Sequence, residues 1–374
     1  MQYRTFGDSG VSVSRLGFGA MRLPMHEVDG KRVIDEDLAI PMLQRAFELG
    51  VNYVDTALFY CDGQSEIVVG KALKGWRDKV TLSSKYPVSP DRPYRATLEK
   101  QLEKLDTDRI DFYHFHGIGQ GFLDHPQRDE YIAAAQKAKD EGLIGHISFS
   151  FHDAPEVLCR LVDLGIFSSV LCQYNLLDRA NEVGLAYAKE HGLGTVVMGP
   201  VGGGRIAGMA PEKAAELGVQ VTSSAELALR FVLANPNVDI ALSGMSTIAM
   251  VEENANTAAT SGPLSVEEAE RVNAAMAENR RLAELYCTGC DYCRPHCPNE
   301  VHIPRIFEAM NWQRIYGLTE HAQQMYDSIG SKHHPGAKAD VCSQCGECEE
   351  HCPQHIQIRQ QLIECLEVFG GTPV

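Results

Sequence analysis

The chain has 374 residues, of which 44% are hydrophobic and 22% charged, so it is long enough for one large folded domain and a smaller second one. Its 34 basic and 50 acidic residues give a net charge of −16, and no basic tract could neutralise phosphates. This argues against nucleic acid and anionic membrane surfaces as partners. The chain has no long apolar run, and its first residues do not resemble a signal peptide, so we expect a cytoplasmic protein without membrane insertion.

Short apolar runs alternate with amphipathic stretches through residues 1–280, after a hairpin predicted around residues 7–10. The predicted strands cover residues 14–23, 51–57, 79–87, 110–118, 144–151, 168–176, 194–201 and 238–244. The predicted helices cover residues 43–50, 66–75, 94–105, 131–142, 154–165, 182–192, 223–236 and 247–259. Eight strand and helix units in strict alternation predict an α/β fold, a parallel (β/α)8 TIM barrel, whose chemistry belongs at the C-terminal strand ends.

Four polar residues fall at or just after three of those strand ends: Asp55, Tyr60, Lys85 and His116. Taken singly, each has a structural reading, such as an interior ion pair or a core histidine. The segments GVNYVDTALFYCDGQSEIVVGKAL, SSKYP and DFYHFHG that carry them resemble the aldo-keto reductases, and the resemblance extends from residue 1 to about residue 280. It implies carbonyl reduction with Tyr60 as general acid. Lys85 would lower the Tyr60 pKa, Asp55 would hold Lys85, and His116 would orient the substrate oxygen.

The same resemblance implies a nicotinamide cofactor. Its carboxamide contacts would be Ser150 and Gln173, and the glycine loop after the seventh strand would approach the pyrophosphate. Phe151 and Met198 depart from the family pattern beside the nicotinamide. The segment from Leu242 to Asn254 contains no Lys or Arg to hold a 2′-phosphate, which predicts NAD(H) rather than NADP(H). The remaining predicted cofactor contacts are Gly202, Gly203, Gly204 and Arg205 for the pyrophosphate, and Glu253 and Asn254 for the adenine.

The C-terminal region, residues 281–374, carries two copies of the spacing C-x2-C-x2-C-x3-C-P. Disulfides are not expected in a cytoplasmic protein, so the thiols predict a metal centre. Zinc sites space their ligands as separated C-x2-C pairs, whereas this run resembles a ferredoxin with two [4Fe-4S] clusters. Helical spacing between the motifs, in residues 303–329, favours an α-helical ferredoxin. On that pattern one cluster has the ligands Cys287, Cys290, Cys293 and Cys352, and the other has Cys342, Cys345, Cys348 and Cys297.

Two functions remain open from the sequence. The first is an oxidoreductase that reduces a small carbonyl or other unsaturated molecule, coupled to electron transfer through the clusters and to a redox partner such as a flavoprotein or ferredoxin. The alternative is an electron-transfer protein whose barrel is a docking scaffold or a remodelled cofactor site. Nicotinamide passes two electrons and each cluster one, a gap that a flavin normally bridges. No strong flavin motif supports one here.

Overall fold

The protein is described by a computed structural model, over residues 1–28, 30–176, 178–201, 219, 221–272, 274, 287, 291, 293–316, 319–332, 334–352 and 356–370. The chain divides into two compact units. One consists of Met1–Gly203 and Ala225–Val266, and the other of Gly204–Ser224 and Glu267–Val374. The domain boundary at residue 280 remains a sequence prediction.

The first unit contains the predicted closed barrel of eight parallel strands. Each strand pairs with the next along the chain, and the eighth pairs with the first, which confirms the α/β barrel. Its strands are β1 (Leu16–Gly19), β2 (Tyr53–Asp55), β3 (Thr81–Tyr86), β4 (Ile110–Ile118), β5 (Ile144–Phe151), β6 (Ser169–Gln173), β7 (Gly194–Met198) and β8 (Ile240–Ser243).

A helix follows every barrel strand. These helices are α1 (Glu36–Glu48), α2 (Ser65–Ala72), α3 (Tyr94–Leu105), α4 (Arg128–Asp140), α5 (Pro155–Val162), α6 (Glu182–Glu190), α7 (Ser224–Ala234) and α8 (Ile248–Asn256). The predicted first hairpin pairs Tyr3–Thr5 with Ser12–Ser14. A second hairpin, Met25–Val28 with Lys31–Ile34, was not predicted. Residues 266–272 are also helical, and residues 275–286 lie outside the described residues.

Alternation along the strands separates an apolar floor of the barrel from a polar upper layer. Tyr53, Phe112 and Leu171 belong to one buried cluster, into which Phe6 of the first hairpin packs. The Phe6 ring fits there because Gly194 has no side chain. A Cβ at Gly194 would lie 2.5 Å from the ring. Side chains two residues further along a strand point to the same interior, one layer higher. These higher positions include Asp55, His114 and Gln173.

The second unit is mainly helical, as the sequence predicts for its cysteine-bearing region. Its helices are α9 (Ile303–Tyr316), α10 (Thr319–Asp327), α11 (Glu347–Glu350) and α12 (Ile358–Phe369). Ile306, Phe307, Leu362 and other apolar residues form a buried core that also includes cysteines of both motifs. Within the described residues, the helices include none that is both long enough and apolar enough to cross a membrane.

Candidate active site and cysteine clusters

A buried ion pair lies at the upper end of the barrel interior. Lys85 Nζ donates to Asp55 Oδ1 at 2.5 Å and to the Thr56 carbonyl at 2.8 Å. Ser83, two residues before Lys85 on β3, donates to Asp55 Oδ2 at 2.7 Å. Both charged side chains are almost fully buried, at 1% and 2% exposure. A buried charge is costly unless it is paired and hydrogen-bonded, so these contacts fix the ammonium in one position.

Tyr60 and His116 lie beside this ammonium and are only half-buried. Lys85 Nζ lies 4.7 Å from the centroid of the Tyr60 ring. The Tyr60 and His116 rings meet edge to face, with centroids 6.2 Å apart. The structure therefore brings together all four residues predicted as the tetrad, and only Tyr60 and His116 of the four keep exposed surface. Their catalytic roles remain a proposal.

Burial and charge set the protonation of these groups. Burial raises the pKa of the Tyr60 hydroxyl above its ordinary value, and the Lys85 ammonium, which lowers it, only partly offsets this. For Lys85, the lowering of its pKa by burial is outweighed by Asp55 and Tyr60, which raise it. Burial and the Lys85 charge lower the pKa of His116 to about 4. At neutral pH, Tyr60 is therefore protonated, Lys85 charged and His116 neutral.

Two further histidines lie near the tetrad. His114 is fully buried one layer below His116, as expected of a core residue. Burial and the Lys85 charge lower its pKa to about 3. The pKa of His152 is lowered by the same two causes, although its side chain is exposed at the end of β5. Sequence reasoning did not single out His152.

The residues predicted to hold the nicotinamide carboxamide lie at the ends of β5 and β6. Ser150 Oγ accepts from the Gly117 amide at 2.7 Å, and Ser150 is buried at 1% exposure. The Gln173 side-chain amide has no hydrogen bond within the described part of the chain. It lies against Gly199, where a Cβ would be 2.7 Å from Gln173 Nε2. Phe151, at the departure from the family pattern, is buried at 1% exposure, and Met198 packs on the apolar floor.

The predicted adenine and phosphate contacts are only partly described. Glu253 is exposed on α8, whereas Asn254 is buried and its Nδ2 donates to Ser243 Oγ at 3.2 Å. The amide of Asn254 is thus already engaged within the protein. Outside the described residues lie the four predicted pyrophosphate contacts Gly202, Gly203, Gly204 and Arg205.

Four thiols of the second unit, three from the second motif and one from the first, line a single recess. They belong to Cys297, Cys342, Cys345 and Cys348. Burial raises the pKa of Cys348 to about 12, and the adjacent Glu349 and the three other thiols add to the rise. A backbone amide also reaches this group, because Val301 N donates to Cys297 Sγ at 3.3 Å. Thiols spread around a recess suit a multi-iron cluster bound by thiolates.

The other four predicted ligands are less completely described. Cys293 and Cys352 are buried in the core of the second unit, Cys287 is half-buried, and Cys290 lies outside the described residues. Burial raises the pKa of Cys293 to about 12, with a further rise caused by Cys287. These residues fit a second cluster as far as they are described.

A second hydrogen-bonded network supports Lys85 from outside the barrel, and sequence reasoning missed it. Gln101 Nε2 donates to the Lys85 carbonyl and to Ser84 Oγ, at 3.1 Å each, and also to Glu66. Ser84 donates to the same Glu66 oxygen at 2.7 Å. Burial raises the pKa of Glu66. Glu66 and Gln101 lie on two different helices, so no periodic pattern within one helix indicates their contact, but alternation could have identified Ser83 as an inward neighbour of Lys85.

Residues 15–277 match the aldo/keto reductase family over more than half of the chain. The chain belongs to the aldo/keto reductase family. L-galactose dehydrogenase of Arabidopsis thaliana is 31% identical over 284 residues, covering 68% of this chain and 87% of that protein. The uncharacterized oxidoreductase YqkF of Bacillus subtilis is 29% identical over 293 residues, covering 69% and 91%. These matches confirm the predicted oxidoreductase class.

Solved structures of aldo-keto reductases superpose on the barrel. The holo form of one from Bacillus halodurans has a TM-score of 0.64 and 31% identity, and covers 73% of this chain and 96% of that one. Another, from Klebsiella pneumoniae in complex with NADP and acetate, has a TM-score of 0.62 and 26% identity, covering 74% and 96%. Residues 286–356 match a 4Fe-4S dicluster domain, so an aldo/keto reductase barrel and an iron–sulfur domain occur in one chain.

Proposed function

We propose that the barrel reduces a carbonyl compound to an alcohol, with hydride from NAD(P)H and a proton from Tyr60. The carbonyl carbon gains the hydride, and the carbonyl oxygen gains the Tyr60 proton. The products are the alcohol and the oxidised nicotinamide. The tyrosinate then takes up a proton from solvent. The observation that carries this proposal is the contact of a protonated, half-buried Tyr60 with an ammonium that Asp55 holds in place. An ion pair with a purely structural role would not require Tyr60 and His116 beside it.

Each member of the tetrad has a role that follows from its environment. Negative charge develops on the carbonyl oxygen and then on the Tyr60 oxygen as the proton moves, and the fixed Lys85 charge stabilises it in a dry interior. Asp55 keeps that charge in place, and Ser83 keeps Asp55 in place. Neutral His116 can donate a hydrogen bond to the substrate oxygen.

The described residues fit a nicotinamide. When bound, it would supply the hydride. The Gln173 amide, which has no other partner in the described structure, and the Ser150 hydroxyl offer the donors and acceptor that a carboxamide needs. Phe151 removes one family contact there, which predicts weaker binding of the carboxamide than in relatives with an amide at that position.

For the choice of nicotinamide we propose NADH. The N-terminus of α8 is capped by Thr247, whose side chain accepts from the Met250 amide at 3.2 Å. Met250 and Ile248 are 45% and 43% exposed there, where a 2′-phosphate would require cations. Arg45, on the neighbouring helix α1, is bound to Glu252 and Glu48. Among the described residues, Arg22 is another cation near this turn that a 2′-phosphate could use. Its side chain lies 3.7 Å from the position of a Cβ at Gly244, which follows β8.

For the second unit we propose two [4Fe-4S] clusters that exchange single electrons with a redox partner protein. Cys297, Cys342, Cys345 and Cys348 would hold one cluster. Cys287, Cys290, Cys293 and Cys352 would hold the other. When bound, the clusters would supply one-electron transfer. The chain's own contribution is to bury the sulfurs and to donate to them from Val301 N and from Gln344 Nε2, which lies 3.5 Å from Cys342 Sγ.

The test is a binding and turnover experiment on anaerobically purified protein. Calorimetric titration with NADH and NADPH should give binding, tighter for NADH by about tenfold. The same protein should reduce simple aldehydes with NADH. Absence of nicotinamide binding together with intact iron would reject the reductase and favour the alternative, an electron-transfer protein with a barrel used for docking.

A further inference from the structure

An arginine is held on the rim of the candidate active site without a carboxylate partner. The Arg92 guanidinium lies over the Phe59 ring, with Cζ 5.2 Å from the ring centroid. Phe59 directly precedes Tyr60, and Arg92 belongs to the loop that follows Lys85. The two loops follow β2 and β3, so they place a cation and an aromatic ring at the same C-terminal end of the barrel as the tetrad.

The loop that carries Arg92 is built to be stiff. Its sequence from Pro87 to Pro93, PVSPDRP, contains three prolines, each of which fixes one backbone angle. The Arg92 amide donates to the Ser89 carbonyl at 3.1 Å, which closes a turn. The Tyr86 hydroxyl donates to the Arg92 carbonyl at 2.6 Å. The backbone at Arg92 is therefore fixed before any ligand binds, which reduces the entropy lost on binding.

Two carboxylates near this end of the barrel, those of Asp62 and Asp153, are engaged elsewhere. Asp62 lies 3.9 Å from Arg32, and Asp153 accepts from the amides of Gln120 and Ala154 at 2.7 Å each. Within the described residues, no carboxylate lies at ion-pair distance from Arg92, and its contact is with Phe59. By contrast Arg95, three residues further on, is bound to both Glu99 and Glu141. In a chain of net charge −16, a stiffly held arginine without a carboxylate partner is available for an anion from outside.

We propose that the carbonyl substrate carries an anionic group, a carboxylate or a phosphate, which Arg92 binds while Phe59 packs against the substrate's carbon chain. This rests on the proposed carbonyl reduction and names its substrate class. A guanidinium binds both groups through two parallel hydrogen bonds. The contact with Phe59 restricts the guanidinium, so a bound anion would lie at a limited range of positions relative to the Tyr60 hydroxyl.

The test compares matched charged and neutral aldehydes with the full-length, anaerobic protein and NADH. One pair is 4-carboxybenzaldehyde and its methyl ester, and the other is glyceraldehyde 3-phosphate and glyceraldehyde. The charged member of at least one pair should have the higher kcat/KM, by about tenfold or more. The pair that shows the preference identifies the anion as carboxylate or phosphate.

Substitutions then assign the preference to Arg92. Arg92→Gln should reduce it about tenfold, mainly through KM of the charged aldehyde. Arg92→Lys, which keeps the charge but loses the fork, should retain part of it. Arg95→Gln removes an equal charge from the adjacent helix and should leave it unchanged. Calorimetric titration with benzoate and with inorganic phosphate gives a readout independent of turnover, and binding of the preferred anion should weaken in Arg92→Gln but not in Arg95→Gln.

Two failures would have different meanings. Equal reduction of charged and neutral aldehydes, or a preference that survives in Arg92→Gln, would overturn the substrate class and leave carbonyl reduction standing. No reduction of any of the four aldehydes with either NADH or NADPH would overturn the carbonyl reduction itself, and this inference with it.

Discussion

The two units of the chain build their candidate sites in opposite ways. In the barrel, Lys85 is neutralised by Asp55 and further hydrogen-bonded by a backbone carbonyl, so the polar groups already satisfy one another. In the second unit, thiols such as Cys348 and Cys293 are buried beside other thiols, and both effects raise their pKa. The barrel site is therefore stable as a protein structure, whereas the thiols gain partners only when iron takes the place of their protons. The two units should respond differently to the loss of a side chain and to the loss of metal.

The largest effect expected in the barrel comes from removing the proton donor. Tyr60→Phe keeps the ring and its contacts with Lys85 and His116 but deletes the hydroxyl. We expect turnover of aldehydes to fall about 100-fold or more, with NADH affinity nearly unchanged. Steady-state kinetics and calorimetry on the same preparation measure both. Undiminished turnover would mean that the tetrad has no part in proton transfer.

The second-largest effect is expected in the fall of kcat/KM at acid pH. A histidine with the ordinary pKa near 6.5 would be almost fully protonated at pH 5, which would lower kcat/KM about 30-fold. The pKa of His116 is lowered to about 4 by burial and Lys85, so kcat/KM should hold at pH 5 and fall only near pH 4. An acid limb centred near pH 6.5 would contradict the proposed role of neutral His116.

The lowered His116 pKa also makes the stability of the barrel depend on pH, so unfolding at low pH must be separated from loss of activity. The His116 pKa is depressed on folding, so its contribution to stability is fully present above its unfolded pKa, near 6.5, and is lost as pH falls to about 4. Initial rates must therefore be measured on protein whose circular dichroism at each pH confirms that the barrel is folded.

Cofactor choice should respond to one substitution on α8. Met250→Arg places a guanidinium at the exposed N-terminal turn where the proposed cofactor site lacks a cation. NADPH should then bind about tenfold more tightly, with NADH nearly unchanged, because a charge-assisted contact to the 2′-phosphate is gained. Met250→Leu is the matched control. Tight binding of NADPH by the unmodified protein would indicate that Arg22 or another cation already holds the phosphate.

Iron content gives the smallest numerical change, a factor of two. Anaerobic protein should contain about eight irons and eight acid-labile sulfides per chain. Cys290→Ser should lower both to about four while leaving aldehyde reduction in the barrel intact. Cys159→Ser, in α5 of the barrel, is the control and should keep all eight. About two zinc ions and no iron in the unmodified protein would reject the clusters.

The barrel could be predicted from sequence because each strand and helix repeats a simple apolar pattern that one core requires. The hairpin Met25–Val28 with Lys31–Ile34 was missed because its strands are mostly exposed and carry little alternation. The tetrad could be placed at strand ends, yet the Tyr60 pKa could not: the sequence suggested the lowering by Lys85 but not the larger effect of burial. The pairing of Arg92 with Phe59 depends on how two loops meet, which no periodic pattern encodes.

The most direct test of the difference between the units is amide hydrogen exchange on the anaerobic, full-length protein before and after chemical removal of its iron. Because metal binding contributes folding energy only where the thiols bind, we expect removal to abolish protection in α9, α10 and α12. Protection in β2, β3 and β4, which carry Asp55, Lys85 and His116, should stay the same. Unchanged protection in α9, α10 and α12, or loss of protection in those barrel strands, would contradict the account.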